Sequence, residues 1–293
     1  MKIKNNSLND KKHTHIKVIL LAAMLFAVIY IIAGLYESCF ISVKKYEIYS
    51  DKVSSAVRIV NLSDIHDSTS EGRKERILSA VENLVPDIVT YSGDISHYGV
   101  VSDGTYDLMA DLADIYPSFF VTGNHEYIGT EGNENKITKR IKSFGVCVLD
   151  GETEIVKIGS DSICVCGVPD IVSKKEILSL LLADASKKAE TKYFTLLLSH
   201  RPELIWLYSR YCFDLVLCGH AHGGQWRFPP FINGIYAPDQ GIFPHYTGGT
   251  IYNYEYRGRT TEMIVSRGLS DGKRMFRFYN PPEIVCIDIL PKR

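Results

Sequence analysis

Two histidines one residue apart, His220 and His222, stand in the run Gly219-His220-Ala221-His222-Gly223-Gly224-Gln225. Imidazole is the commonest protein ligand for transition metals. Glycine lets a backbone fold tightly round an ion or a phosphate. A polar loop with two incidental histidines would read the same way, so this run alone decides nothing. Residues of similar kind recur upstream in Asp64-Ile65-His66, Gly93-Asp94, Gly123-Asn124-His125-Glu126 and Ser199-His200. Carboxylates, imidazoles and one amide oxygen make N/O sites that suit Mn, Fe or Zn better than a thiolate-type zinc site. A single carboxylate such as Asp94 can bridge two ions about 3.5–4 Å apart. Such a pair acidifies a shared water and clamps the oxygens of an in-line phosphoryl displacement. No P-loop, nucleophile-elbow serine or dinucleotide-binding glycine motif competes.

Each of these groups follows an apolar run that reads as a strand. Val57 to Ser63 leads to Asp64 and His66, Asp87 to Tyr91 to Asp94, and Ser118 to Thr122 to Asn124 and His125. Tyr193 to Leu198 leads to His200, and Phe213 to Cys218 to His220 and His222. Helical stretches over about 73–84, 106–115, 134–144 and 174–188 separate them. Strand–helix alternation predicts a parallel α/β sheet, and ligands bind beyond the C-terminal rim of such a sheet. Five of the nine histidines fall on that rim, which scattered surface histidines would not do. A hairpin is expected at 154–158 and 162–168, and further strands at 146–149, 261–266, 274–279 and 284–290. Residues 225–249 are irregular and rich in proline, glycine and aromatics. Asp64, Asp94 and Asn124 have a plainer alternative use as caps of the helices that follow them.

Taken in order, these five blocks resemble the calcineurin-like metallophosphoesterases, over about residues 55–293. The longer Gly-His-Ala-His-Gly-Gly-Gln-Trp-Arg-Phe-Pro run, with Tyr-Ala-Pro at 236–238 and Ser-Arg-Gly-Leu at 266–269, resembles a branch of bacterial membrane-associated or exported phosphodiesterases. The resemblance implies an α/β fold, a four-layer α/β/β/α sandwich of two mixed sheets flanked by helices. It implies two divalent metal ions, with Asp64, His66 and His222 on the first and Asn124, His200 and His220 on the second. Asp94 would bridge them. His125 would be the general acid or phosphate-stabilising group, oriented by Glu126. The chain departs from the pattern at His97, where the family often has a second acid, and at Asp67-Ser68, where it often has Leu-Gly. No metal ligand is lost. The absent arginine beside Asp94 argues against a protein phosphatase.

The chain has 293 residues, 45% hydrophobic and 23% charged, which is ordinary globular material. A net charge of −1 gives no basic footprint and argues against nucleic acid as a partner. The seven cysteines are odd in number, form no CxxC pair and read as small buried hydrophobes. Residues 1–17 are basic, and residues 18–36 run for 19 positions without a charge. That nearly matches the roughly 20 residues that cross a bilayer. No signal-peptidase site follows, so an uncleaved transmembrane helix is expected. The positive-inside rule places the N-terminus in the cytoplasm and the catalytic domain outside it, a single-pass protein of the cell membrane. Residues 37–55 read as a polar linker with some strand character at 40–43 and 46–49, and 56–293 as the catalytic domain.

The expected activity is hydrolysis of phosphodiester or pyrophosphate bonds, with lipid-linked or nucleotide-type substrates in view. The rival is a catalytically silent phosphoesterase fold serving as a binding module or scaffold at the membrane, which would be expected to lack ligands. Residues 226–246 either pack back on the sandwich or form an apolar lid for a lipid-linked substrate. His97 and His245 read as surface histidines. Arg201 and Arg227 read as solvated loop residues with a phosphate contact as the alternative, and Cys218 as strand-end packing.

Overall fold

The computed structural model describes residues 2–127, 134–171, 175–189, 192–272 and 276–292. Two six-stranded sheets carry the fold. The first runs in the order β1 (Ser42–Ser50), β14 (Glu283–Pro291), β2 (Val57–Leu62), β3 (Ile88–Ser92), β4 (Ser118–Val121) and β5 (Cys147–Val148). The second runs β12 (Ile251–Tyr256), β13 (Arg259–Val265), β9 (Leu215–Cys218), β8 (Phe194–Leu198), β7 (Asp161–Gly167) and β6 (Thr153–Ile158). A two-stranded hairpin, β10 (Tyr236–Ala237) and β11 (Gly241–Ile242), stands apart.

Side chains alternate across a strand, and here alternate residues enter different cores. Ile59 of β2, Leu196 and Leu198 of β8, and Leu215 and Leu217 of β9 meet between the two sheets. Val60 and Leu62 face the opposite way, onto helices α2 (Glu71–Leu84), α3 (Asp103–Ile115) and α4 (Glu134–Ser143), through Ile77, Val81, Leu108, Leu112 and Ile141. Leu197, Val216 and Cys218 face α5 (Lys175–Lys188) and α6 (Ile205–Tyr208), through Leu178, Leu182 and Ile205. This is the four-layer α/β/β/α sandwich. Strands buried on both faces explain the near-continuous apolar runs. Truncating one of them, such as Leu196→Ala, costs about 2–5 kcal/mol.

The sheets are mixed rather than wholly parallel. β2, β3, β4 and β5 pair in parallel, but the chain's last strand, β14, enters antiparallel to β2. Hairpins give antiparallel pairs at both edges of the second sheet. Most of the stretch read as a linker is strand: β1 pairs in parallel with β14 from Ser42↔Glu283 to Ser50↔Pro291. It looked like linker because it is an edge strand. Tyr46, Ile48 and Ser50 point inward, while Lys44, Lys45, Glu47 and Tyr49 face out. The folded unit therefore begins near Ser42 rather than 56. Residues 274–275 lie outside the described residues, and of the strand expected at 274–279 only a bridge from Phe278 to Trp226 is present. β12, half exposed and tyrosine-rich, was not anticipated.

Helix α1 spans Lys2–Glu37. Its stretch His15–Glu37 has mean hydropathy 2.9 and is long and apolar enough to cross a membrane. One face of its last turns docks on the sandwich. Tyr279 donates from its hydroxyl to the Tyr30 carbonyl (2.9 Å) and from its N–H to the Gly34 carbonyl (3.2 Å). Asn280 N–H donates to Ser38 Oγ at 3.2 Å. A Cβ on Gly34 would lie within 2.5–2.7 Å of the Phe278 and Tyr279 rings, so only glycine permits this approach.

Candidate metal centre

The loops beyond β2, β3, β4, β8 and β9 converge where the C-terminal ends of the two sheets meet. Asp64 Oδ1 lies 3.9 Å from His66 Nε2 and 3.8 Å from His222 Nε2, and those two nitrogens are 3.2 Å apart. Beside them Asp94, His200 and His220 form a second group whose candidate ligand atoms lie within 4.8 Å of one another. Asp94 Oδ2 is 3.2 Å from His200 Nε2 and 3.7 Å from His66 Nε2, so one carboxylate oxygen faces both groups. Asn124 Oδ1 is buried with no hydrogen-bond partner among the described residues. His125 Nε2 lies 4.0 Å from Asp94 Oδ2. All eight residues singled out from sequence thus share one place. His66, Asp94, Asn124, His125, His220 and His222 line a pocket, while Asp64 and His200 are buried at its base.

Strained turns aim these side chains. Asp64, His66, Asp94, His220 and His222 have φ of 49°, 48°, 55°, 67° and 47°. Left-handed backbone at non-glycine residues costs about 1–3 kcal/mol each and persists where the surroundings enforce it. Here cross-loop hydrogen bonds enforce it. Asp64 N–H donates to the Gly93 carbonyl (3.0 Å), His66 N–H to the Asp94 carbonyl (3.0 Å) and Gly219 N–H to the His200 carbonyl (3.1 Å). Gly93, at φ 89°, is needed as glycine because a Cβ would lie 2.5 Å from His200 Nδ1. The helix-cap alternative fails for the two aspartates. The residues at the caps of α2 and α3 are Ser70 and Ser102. Asp64 and Asp94 instead accept from the N–H groups of His220 (3.0 Å) and His125 (2.8 Å).

Burial and charge set the protonation of the cluster. Burial drives His66 down to about 4, against the pull of Asp94 and Asp64. Burial and the neighbouring His66 hold His222 well below the imidazole range. Both rings therefore present lone pairs at neutral pH, the form a metal takes. At His200 burial acts downward, but the Asp94 carboxylate wins and raises it to about 10. Asp94 draws positive charge to this point. Neutral imidazoles facing one carboxylate, a second carboxylate shared between the groups and an unpartnered amide oxygen are a donor set that fits divalent cations.

Glu126, expected to orient His125, accepts hydrogen bonds from backbone. Its carboxylate accepts from the N–H groups of Gly123 (2.6 Å), Ser96 (2.8 Å) and Asp94 (2.9 Å). Burial, reinforced by Asp94, pushes it up to about 7. The His125 ring is placed from another side, by Tyr98 N–H donating to Nδ1 at 3.3 Å. Burial lowers its basicity, with Asp94 opposing.

A model of the calcineurin-like phosphoesterases matches residues 57–224. The chain belongs to that family. It is 30% identical over 266 residues to an uncharacterized metallophosphoesterase of Aquifex aeolicus, covering 87% of this chain and 94% of that one. It is 28% identical to one from Helicobacter pylori, covering 85% of this chain and 64% of the relative. A transmembrane protein with metallophosphoesterase domain from Danio rerio is 30% identical, covering 68% of this chain and 49% of its own length. The chain thus spans nearly all of the first relative and half to two-thirds of the others. Membership implies divalent metal ions and a phosphate-ester substrate.

Other residues of this metallophosphoesterase also reach the site. His97, read as a surface histidine, lines the pocket with its ring 5.4 Å from His125 and 5.9 Å from His66. Arg201 is held by Asp170, with Nε 2.8 Å from both carboxylate oxygens, and by Asp239 through Nη1. Asp239 Oδ2 in turn lies 2.9 Å from His220 Nε2. The His220 hydrogen bond and the Arg201 charge, against burial, hold Asp239 well below the carboxylate range. The position of Arg201 directly after His200 was the available signal; Asp239 arrives from a distant turn and had none. Arg227 is a structural residue, donating to the carbonyls of Asn233 (2.9 Å) and Gly248 (3.0 Å). His245 stays out of the pocket, against Tyr246 and Tyr252, and Cys218 is buried in a core.

Proposed function

We propose that this metallophosphoesterase holds two divalent ions, Mn, Fe or Zn, and hydrolyses phosphodiester or pyrophosphate bonds, lipid-linked and nucleotide-type substrates among them. The carrying observation is the single oxygen of Asp94 that faces two separate ligand groups, at 3.2 Å from His200 and 3.7 Å from His66. Asp64, His66 and His222 would hold one ion, Asn124, His200 and His220 the other, with Asp94 shared. Bound there, the ions supply Lewis-acid charge and an acidified water.

The chain's own residues do the rest. Tyr98 N–H occupies His125 Nδ1, so the neutral ring carries its proton on Nε2, toward Asp94 and the pocket. From there Nε2–H donates to a phosphoryl or departing oxygen. Of the two expected roles, stabilising the phosphate fits a ring of lowered basicity best. Arg201, tied to Asp170, Asp239 and Glu203, steadies Asp239 against His220. Helix α1 serves as a single-pass anchor with its basic N-terminus in the cytoplasm and the sandwich on the other side. The test is hydrolysis of bis-p-nitrophenyl phosphate by the full chain loaded with each metal. Stoichiometric metal with no turnover on any diester or pyrophosphate would leave the silent scaffold as the better reading.

A further inference from the structure

The segment after the metal loop carries large apolar side chains that face out. Phe231 is 89% exposed, Ile242 72% and Phe243 67%. Phe231 and Phe243 border one shallow groove, and Ile242 lies in the short hairpin directly before Phe243. The segment neither packs wholly back on the sandwich nor hangs free. Tyr30 of α1 donates from its hydroxyl to the Pro229 carbonyl at 3.0 Å. The Tyr30 ring meets Phe278 at 6.1 Å, Phe278 meets Phe228 at 5.1 Å, and Phe278 bridges to Trp226.

Height along α1 says what covers these side chains. Tyr30 lies seven residues before the helix end at Glu37, about 10 Å at 1.5 Å per residue. On the undocked faces at that height, Ile31 and Ile32 are 51% and 59% exposed. Apolar side chains there need lipid round them if α1 crosses a bilayer. A loop that touches Tyr30 at the same height lies in the same layer. Interfacial segments bury their apolar side chains about 5–10 Å into the headgroup and acyl boundary, which matches this depth.

We propose that the face bearing Phe231, Ile242 and Phe243 is a second membrane contact, seated in the outer boundary of the bilayer that α1 spans. It rests on the reading of α1 as an anchor, and it does not depend on catalysis. The face fixes the tilt of the sandwich, which a single helix would leave free. The hairpin that carries Ile242 also carries Asp239 at its turn, so the membrane seat and the pocket share one short element.

Tryptophan reporters in the full chain test this. The native tryptophans are Trp206 and Trp226. Trp206→Phe and Trp226→Phe remove them, and Phe231→Trp or Phe243→Trp adds a sole reporter. Each chain is reconstituted in phosphatidylcholine–phosphatidylglycerol vesicles, with plain or dibrominated acyl chains. The expected result is about a twofold loss of emission in brominated vesicles and shielding from aqueous acrylamide, as for an interfacial side chain. Equal emission in both vesicles at both positions, with free acrylamide quenching and normal metal content, overturns the proposal. Quenching needs no turnover, so a quenched chain that hydrolyses nothing fails the functional reading alone.

Discussion

The side-chain amide of Asn280 donates to the carbonyl oxygen of His222 at 2.7 Å. The same amide reaches the Gln225 carbonyl at 3.1 Å, and the Asn280 N–H reaches Ser38 Oγ at the end of α1. One buried asparagine therefore joins helix α1 to the backbone of the His220–His222 loop. His222 sits at φ 47°, and this bond helps to hold that conformation. Asn280→Ala, and equally Asn280→Asp, which cannot donate, should weaken metal binding by about 10–100-fold, the usual effect of losing an outer partner of a ligand. Titration of chelator-stripped protein with Mn, read by activity and by metal content, measures it. Native affinity in both variants would show that the loop holds itself.

Asp94→Asn keeps shape and removes the charge that both ligand groups share. Its buried carboxylate has His200, His66 and His125 around it. Turnover on bis-p-nitrophenyl phosphate should fall by about 10²–10³-fold or more, as when one oriented electrostatic element is removed, and metal per chain should drop. His220→Ala should act in the same direction. Full turnover with full metal content in Asp94→Asn would sink the shared-carboxylate assignment.

His125→Ala should separate chemistry from metal binding. The ring touches the pocket but belongs to neither of the two ligand groups assigned above. Turnover should fall by about 10²–10³-fold, the range for removing one oriented hydrogen-bond donor, with metal content near normal. Tyr98 acts through its backbone, so Tyr98→Phe should leave the His125 tautomer and the turnover little changed. A large loss of metal in His125→Ala would move that residue into the ligand set.

The site was legible because five strands end in the same manner. An apolar run, then a carboxylate, amide or imidazole, marks each of Asp64, Asp94, Asn124, His200 and His220, and parallel pairing brings such ends to one rim. What stayed hidden depends on distant chain or on backbone. Asp239 meets His220 from 19 residues away, and no local pattern marks that contact. His97 enters the pocket through a turn in which Tyr98 takes φ 49°, which its residue type does not announce. Glu126 read as a partner for a side chain, and nothing local marked the three backbone N–H groups that also donate to it. β1 showed only as strand character within a linker, because its edge position carries outward lysines that suit a strand that must resist further pairing.

Acid should loosen the join between the sheets. Asp161, at the β6–β7 turn, accepts from N–H and Oγ of both Ser54 and Ser55 at 2.7–2.9 Å, tying the β1–β2 connection to the second sheet. Burial acts to raise its pKa, but these four hydrogen bonds prevail and bring it to about 2. The unfolded value is about 3.9. A folded pKa below the unfolded one means that the carboxylate contributes its full stability above about pH 4 and loses it as pH falls toward 2. Asp161→Asn should lower the melting temperature at neutral pH and flatten the decline between about pH 4 and 2 relative to the parent. Thermal unfolding of the full chain in detergent across that range measures both, and an unchanged acid slope in the variant would assign the decline to other carboxylates.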